Sequence, residues 1–210
     1  MPIDLIFVLI SGASGFFPVF AGLYNYKLLD HILKIVFVFF IISSVFDPIM
    51  WILTQTGSKN NMPVIHVNVV VTLFFFTIIY CRLFLTLILK RITIIFSIIT
   101  FTIMMVYDRN FYEYPSESNT ALSILLIILS LIYFYQLLNP LTFINIEKQS
   151  LFWINAGVLF YSAVNIFLFM IFTQIPPEDQ HNYYIINSIS NIIANVLYSI
   201  GLLCKPQKTL

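Results

Sequence analysis

Seven apolar runs, at roughly residues 5–24, 32–53, 63–85, 90–107, 119–138, 151–173 and 184–203, constrain this chain more than any other feature. Most of them reach the roughly 20 residues that carry an α-helix across a bilayer, the run at 90–107 being the shortest. Each is continuous rather than alternating. Because lipid offers no water to an open backbone, only helices or closed barrels span it, and continuous runs exclude the barrel. The expectation is an all-α fold: a polytopic membrane protein, one seven-transmembrane-helix bundle filling residues 1–210. Composition agrees, since only 9% of the 210 residues are charged, against about a quarter in an ordinary globular domain. The loops are too short to hold a soluble domain.

Lys and Arg sort the loops into two sides. Lys27, Lys34, Arg82, Lys90, Arg91, Lys148, Lys205 and Lys208 fall on one side of the runs, and only Lys59 and Arg109 on the other. Basic residues stay cytoplasmic, so the N-terminus is expected outside and the C-terminus inside a cell inner (plasma) membrane, multi-pass. The outer side also collects Asp4, Asp108, Glu113, Glu117, Glu178 and Asp179. The first run lacks a basic flank and is kept as a helix; "SGASG" at 11–15 could instead mimic a cleavage site, leaving six helices with the same inner C-terminus. Cys81 and Cys204 both fall near inner helix ends, in a reducing compartment, where no disulfide is expected. Cys204 beside Lys205 is an alternative acylation site.

Local punctuation supports the spans. Pro63 opens the third run, Asn139-Pro140 closes the fifth, Pro176-Pro177 follow the sixth and Pro206 the seventh. Ser118 and Asn119 are candidate caps for the fifth. Thr54 to Asn68 and Thr173 to Asn187 echo one another at equal spacing, which permits a 3+1+3 parallel repeat around the fourth helix.

Polar residues inside spans face the bundle interior, pair with one another, or mark a pathway. Asn187, Asn191 and Asn195 recur every fourth residue and share one helical face, which Tyr198 continues. Asn155, Ser162 and Asn165 share a face of the sixth run, and Asn68 and Thr72 one of the third. Interhelical asparagine also serves as packing glue worth about 0.6–2 kcal/mol. Asp47, followed by Pro48 in "VFDPIMW", costs about 2.5–3.5 kcal/mol at a helix centre, so the position needs a reason. Asp47, Asn165 and Asn191 lie at a common depth of roughly 10–12 Å below the outer boundary, with Asn68 slightly above. They outline an outer-half polar pocket, with Asp47, Asn68, Thr72, Asn165, Asn187 and Asn191 as candidate ligand-binding residues. No Lys or Arg shares that depth, so Asp47 is expected to hold its proton at neutral pH and act as a donor. Pro48 bends the helix and frees a carbonyl for the same pocket. The competing reading bonds Asp47 to its own kinked backbone with Ser43 or Ser44.

Several classes are excluded. The seventh run has no lysine for a retinal Schiff base. His31, His66 and His181 are split between the two sides, so they cannot converge on a catalytic zinc, and no phosphate loop or nucleophile with a histidine at its depth occurs. No metal and no cofactor is expected, and no nucleic acid among the partners. Arg82 near an inner helix end is expected to snorkel. Trp51, Tyr107, Tyr112, Tyr114, Tyr183 and Tyr184, with Tyr24 and Tyr26 opposite, fit interfacial belts.

The stretches "LFWINAGVLFYSAVNIFLFM" and "INSISNIIANVLYSIGLL" resemble uncharacterised seven-helix integral membrane proteins of Bacteroidota, through Phe152, Trp153, Tyr161, Asn165, Asn187, Asn191, Asn195 and Tyr198. Some of these look like the membrane modules that accompany sensor histidine kinases. The resemblance implies a compartment and a fold, and supplies no ligand or catalytic residue. The leading expectation is a sensory or accessory module that binds a small ligand and signals through a cytoplasmic partner, with the lipid bilayer as its other partner. The alternatives are a lipid-modifying membrane enzyme using Asp47, and a small-solute transporter.

Overall fold

The computed structural model describes residues 3–55, 60–138, 145–174, 176 and 180–204. They form eight α-helices: α1 (Ile3–Ser14), α2 (Phe16–Tyr24), α3 (His31–Gln55), α4 (Met62–Leu83), α5 (Leu87–Tyr107), α6 (Ser116–Leu138), α7 (Ser150–Ile171) and α8 (Gln180–Leu203). No strand occurs among the described residues. Seven stretches are long and apolar enough to cross a membrane, the first being α1 and α2 together. Within the Thr54–Asn68 and Thr173–Asn187 echo, residues 56–59, 175 and 177–179 lie outside those described, as do Asn139, Pro140 and Pro206.

The first span is broken at Gly15, which the apolar run alone did not reveal. Pro18 has no N–H for the Ser14 carbonyl, and its ring would collide with that carbonyl in a continuous helix. The chain restarts at Phe16, so Pro18 sits in a first turn, where a missing donor costs nothing. Gly15 N–H turns instead to the Gly12 carbonyl at 3.2 Å. Pro63 stands at the opening of α4, whereas Pro48 lies within α3, which continues through it.

Two helix starts differ from the runs. Thr86 Oγ1 accepts from Leu89 N–H at 3.4 Å, which begins α5 ahead of Lys90. α6 begins at Ser116, and neither Ser118 nor Asn119 caps it: Ser118 donates to Asp108, and Asn119 Nδ2 donates to the Pro115 carbonyl at 3.0 Å.

The helices close into a ring. α1 and α2 pack on α8, α8 on α7, α7 on α6, α6 on α4, α4 on α3, and α3 returns to α2. α5 stands outside, in the furrow between α4 and α6. It turns Thr93, Ser97, Thr100 and Met104 inward at helical spacing, and Thr77 Oγ1 of α4 donates to Ser97 Oγ at 2.8 Å. The surface inverts the rule for water-soluble proteins: Phe20, Leu85, Phe167 and Ile98 are exposed, while serines and asparagines are buried. That is the pattern of helices held in lipid by small-residue packing and interhelical hydrogen bonds.

One such network ties α4, α6 and α7 together. Tyr80 Oη donates to Asn155 Oδ1 at 2.7 Å and lies 2.7 Å from Ser130 Oγ, and Asn155 Nδ2 donates to the Leu151 carbonyl at 2.8 Å. All three residues are buried. Tyr80→Phe removes the donor that Asn155 Oδ1 needs and keeps the ring, so it should destabilise the bundle by about 1–2 kcal/mol. Unfolding by sodium dodecyl sulfate in mixed micelles measures this; an unchanged midpoint would mean that the amide finds another partner.

Charge divides the bundle ends. Lys27, Lys34, Arg82, Lys90, Arg91 and Lys148 lie at one end, and Asp108, Arg109, Glu113 and Glu117 at the other. We call these the basic and acidic ends.

Candidate functional site

A cavity of about 710 Å3 opens inside the ring, within the range of about 300–1,000 Å3 typical of small-molecule sites. It runs from the acidic end, at Asn61, Met62, Tyr114 and Tyr183, to mid-bundle at Phe76, Val158 and Tyr198, and α5 contributes nothing to its lining. It exists because facing helices present small side chains along this stretch. α1 offers Ser11 and Gly12, the break after it Gly15, α6 Ser123, α7 Ser162 and α8 Ser188.

Asp47 projects into this space from α3. A Cβ on Gly15 would lie 3.8 Å from Asp47 Oδ2, and one on Gly12 would lie 4.0 Å from Asp47 Cβ, so the carboxyl lies beside the break in the first span, in ordinary contact range. Neither Ser43 nor Ser44 bonds it; Ser44 Oγ donates to the Ile41 carbonyl at 2.9 Å. Among the described residues the carboxyl has no hydrogen-bond partner, and it is the only acidic or basic side chain in the lining. Pro48 also deprives the Ser44 carbonyl of the N–H that would otherwise reach it, and Ser44 borders the same cavity.

Of the six sequence candidates, Asp47, Asn68, Thr72, Asn187 and Asn191 line the cavity, and Asn165 does not. Asn165 is fully buried behind the wall, with Nδ2 donating to the Tyr161 carbonyl at 2.9 Å and to Ser190 Oγ at 2.6 Å. Its Oδ1 has no partner, and neither has the buried Oδ1 of Asn68. Thr72 Oγ1 donates back to the Asn68 carbonyl at 2.8 Å. Tyr161 Oη donates to Asn187 Oδ1 at 3.4 Å.

The stripe on α8 is divided between lining and glue. Asn191 Nδ2 donates to Ser11 Oγ and Asn195 Nδ2 to Ser14 Oγ, both at 2.9 Å, which fastens α8 to α1. The paired substitution Asn191→Ala/Asn195→Ala should therefore loosen the first span, with a combined cost of about 1–3 kcal/mol. Limited proteolysis and detergent unfolding check it; a loss no larger than that of Asn187→Ala alone would remove these two bonds from the account.

The acidic end carries features that residue spacing did not reveal. Tyr114 and Tyr183 are not belt residues facing lipid. Tyr183 is buried, the two phenol oxygens lie 3.0 Å apart, and Phe172 packs at a tilt against both rings, at 4.2 and 4.5 Å between centroids. Burial, with Tyr183 next to it, pushes the Tyr114 phenol well above its ordinary range. The turn that delivers Tyr114 is clamped to α4 by His66, whose Nδ1 is 3.2 Å from Asp108 Oδ2 and Nε2 3.0 Å from the Glu113 carbonyl. Ser118 donates to the same Asp108 oxygen, Asn60 Nδ2 to the Tyr112 carbonyl at 2.6 Å, and Ser116 Oγ to the Phe169 carbonyl at 2.5 Å. The serine, aspartate and histidine here form a structural clasp, because the serine bonds the acid and not the imidazole. The only hint in the sequence was the clustering of polar residues in 108–118.

No group of three or more His, Cys, Asp or Glu side chains among the described residues is arranged to hold a metal. Cys81 and Cys204 are free thiols. No family model, curated protein or solved structure matches the chain.

Proposed function

We propose that this protein is a membrane-embedded binding module, which takes a small molecule into the chamber at its acidic end and conveys occupancy to a cytoplasmic partner at its basic end. The unpartnered carboxyl of Asp47 in a chamber of ligand size carries this reading, because a carboxyl at that depth is costly unless something meets it. The positive-inside bias supports an acidic end facing outward across an inner (plasma) membrane, with the N-terminus outside. Under that orientation a cysteine placed at Tyr112 reacts with a membrane-impermeant maleimide on intact cells. Labelling that requires lysis reverses the assignment.

The connection to a partner follows from helix geometry. α3, α4, α7 and α8 all border the chamber and all run to the basic end, so a change of helix packing around a ligand is felt there. Native mass spectrometry of the full chain from gentle detergent tests the first half: an adduct of a few hundred daltons is expected, displaced when Val158→Trp fills the chamber. Cross-linking in membranes tests the second half. Absence of both an adduct and a stoichiometric cytoplasmic partner sinks the proposal.

Transport is favoured as a second reading by the break between α1 and α2 beside Asp47, since transporters place discontinuous helices at midplane binding sites. Counterflow in proteoliposomes separates the two. Asp47 has no second acid or base beside it among the described lining residues, which gives a lipid-modifying reaction only one half of an acid–base pair.

A further inference from the structure

We infer that the chamber selects an organic monocation, an alkylammonium or quaternary ammonium with an apolar body, whose charge sits against Asp47 and whose remainder packs on the aromatic walls. The inference rests on the binding reading above and adds the chemical class of the ligand.

The lining is one-sided in charge. Asp47 faces the space without a hydrogen-bond partner among the described residues, and no lysine, arginine or histidine of the described chain shares the lining. A bound anion would meet a carboxyl and no counter-charge. A purely apolar molecule would leave the carboxyl as it is, desolvated and unmatched. A cationic group draws the carboxyl into its ionised form and offsets its burial, because opposite charge is what stabilises an ionised carboxylate away from water.

The walls supply the second half of such a site. Tyr161 shares the lining with Asp47, and the rings of Phe40 and Tyr198 meet at a tilt, 4.7 Å between centroids, in the same lining. Toward the acidic end, Tyr114, Phe172 and Tyr183 pack on one another and border the chamber. Aromatic faces attract cations through the ring quadrupole, most strongly where water is excluded. They also accommodate the apolar part of the molecule, which a site built from carboxylates alone would reject.

The approach is biased in the same sense. Asp108, Glu113 and Glu117 stand at the end toward which the chamber extends, with Arg109 the only lysine or arginine among the described residues there. A net negative mouth raises the local concentration of cations and lowers that of anions. Three independent observations therefore converge: the lone unpartnered carboxyl, the aromatic enclosure and the acidic rim.

Isothermal titration of the full chain in nanodiscs, with protein-free discs subtracted, tests this with four probes: tetraethylammonium, phenethylammonium, the neutral 2-phenylethanol and the anionic phenylacetate. Both cations are expected to bind, and phenethylammonium at least tenfold more tightly than 2-phenylethanol or phenylacetate. Asp47→Asn should weaken phenethylammonium at least tenfold and leave 2-phenylethanol unchanged, while Asp47→Glu retains preference for the cation. Tyr161→Leu, which leaves the carboxyl in place, should weaken tetraethylammonium severalfold and serves if Asp47→Asn does not fold. Equal affinity for cation and neutral isostere, or cation binding indifferent to Asp47 and Tyr161, overturns the cation assignment and leaves the binding module standing. If no probe binds, the cation assignment falls, and the binding module stands or falls on the adduct and partner measurements above.

Discussion

Gly201→Leu should be the most damaging single substitution in the bundle, lowering stability by about 3 kcal/mol or more, and even Gly201→Ala should cost about 1–3 kcal/mol. A Cβ at 201 would lie 2.8 Å from the Ser150 carbonyl oxygen and 2.8 Å from Ile154 Cδ1. The first obstacle is backbone, so no rotamer change relieves it. The two helices cannot simply part either, since Asn25 Nδ2 holds the Leu202 carbonyl at 2.9 Å and Ser150 Oγ the Cys204 carbonyl at 3.2 Å. Gly157 makes the instructive contrast. A Cβ there would come closer still, 2.5 Å from Tyr198 Cε1, but the obstacle is a ring that borders the open chamber and can move into it. Gly157→Ala should therefore be milder than Gly201→Ala despite the shorter distance. Detergent unfolding of both alanine variants measures the order, and the reverse ranking would show that the α7–α8 backbone contact is more compliant than its geometry implies.

Asn165 yields the second large effect, and its two substitutions should diverge. In Asn165→Asp the carboxylate replaces an amide that donates to the Tyr161 carbonyl and Ser190 Oγ, so an acceptor faces a backbone acceptor at a fully buried position. An uncompensated charge there should cost about 3–5 kcal/mol at neutral pH. Asn165→Leu gives up two donated bonds but also removes an Oδ1 that has no partner in the folded protein. Neither former partner is left bare, since the Tyr161 carbonyl keeps its helical N–H and Ser190 Oγ still donates to the Asn187 carbonyl at 2.8 Å, so the loss stays small. The expected result is a leucine variant within about 1 kcal/mol of the parent beside an aspartate variant that does not purify as a monodisperse species. Similar stabilities for the two would indicate that water or a ligand reaches Oδ1, and would return Asn165 to the binding wall.

The sequence determined what the bilayer dictates. Continuous apolar runs with few charges can satisfy their backbone only as helices, and seven such helices are present. Periodicity also determined which face of each helix avoids lipid: Asn155, Ser162 and Asn165 are all buried, as their spacing requires. It could not say what each face meets, because spacing sets a direction around one helix and carries no information about the rotation or order of its neighbours. Asn191 and Asn195 find serines on α1 from the far end of the chain, while Asn165, expected at the depth of Asp47, turns behind the wall toward Ser190. Tyr114 and Tyr183 carry the composition of an interfacial belt and are drawn inward by one another and by Phe172. That the break at Gly15 lies beside Asp47 depends on α1 lying against α3, a contact between separate helices. Depth in the membrane is a local property of one helix and is written along it, whereas the shape of the chamber is a property of six helices packed together and appears only when they meet.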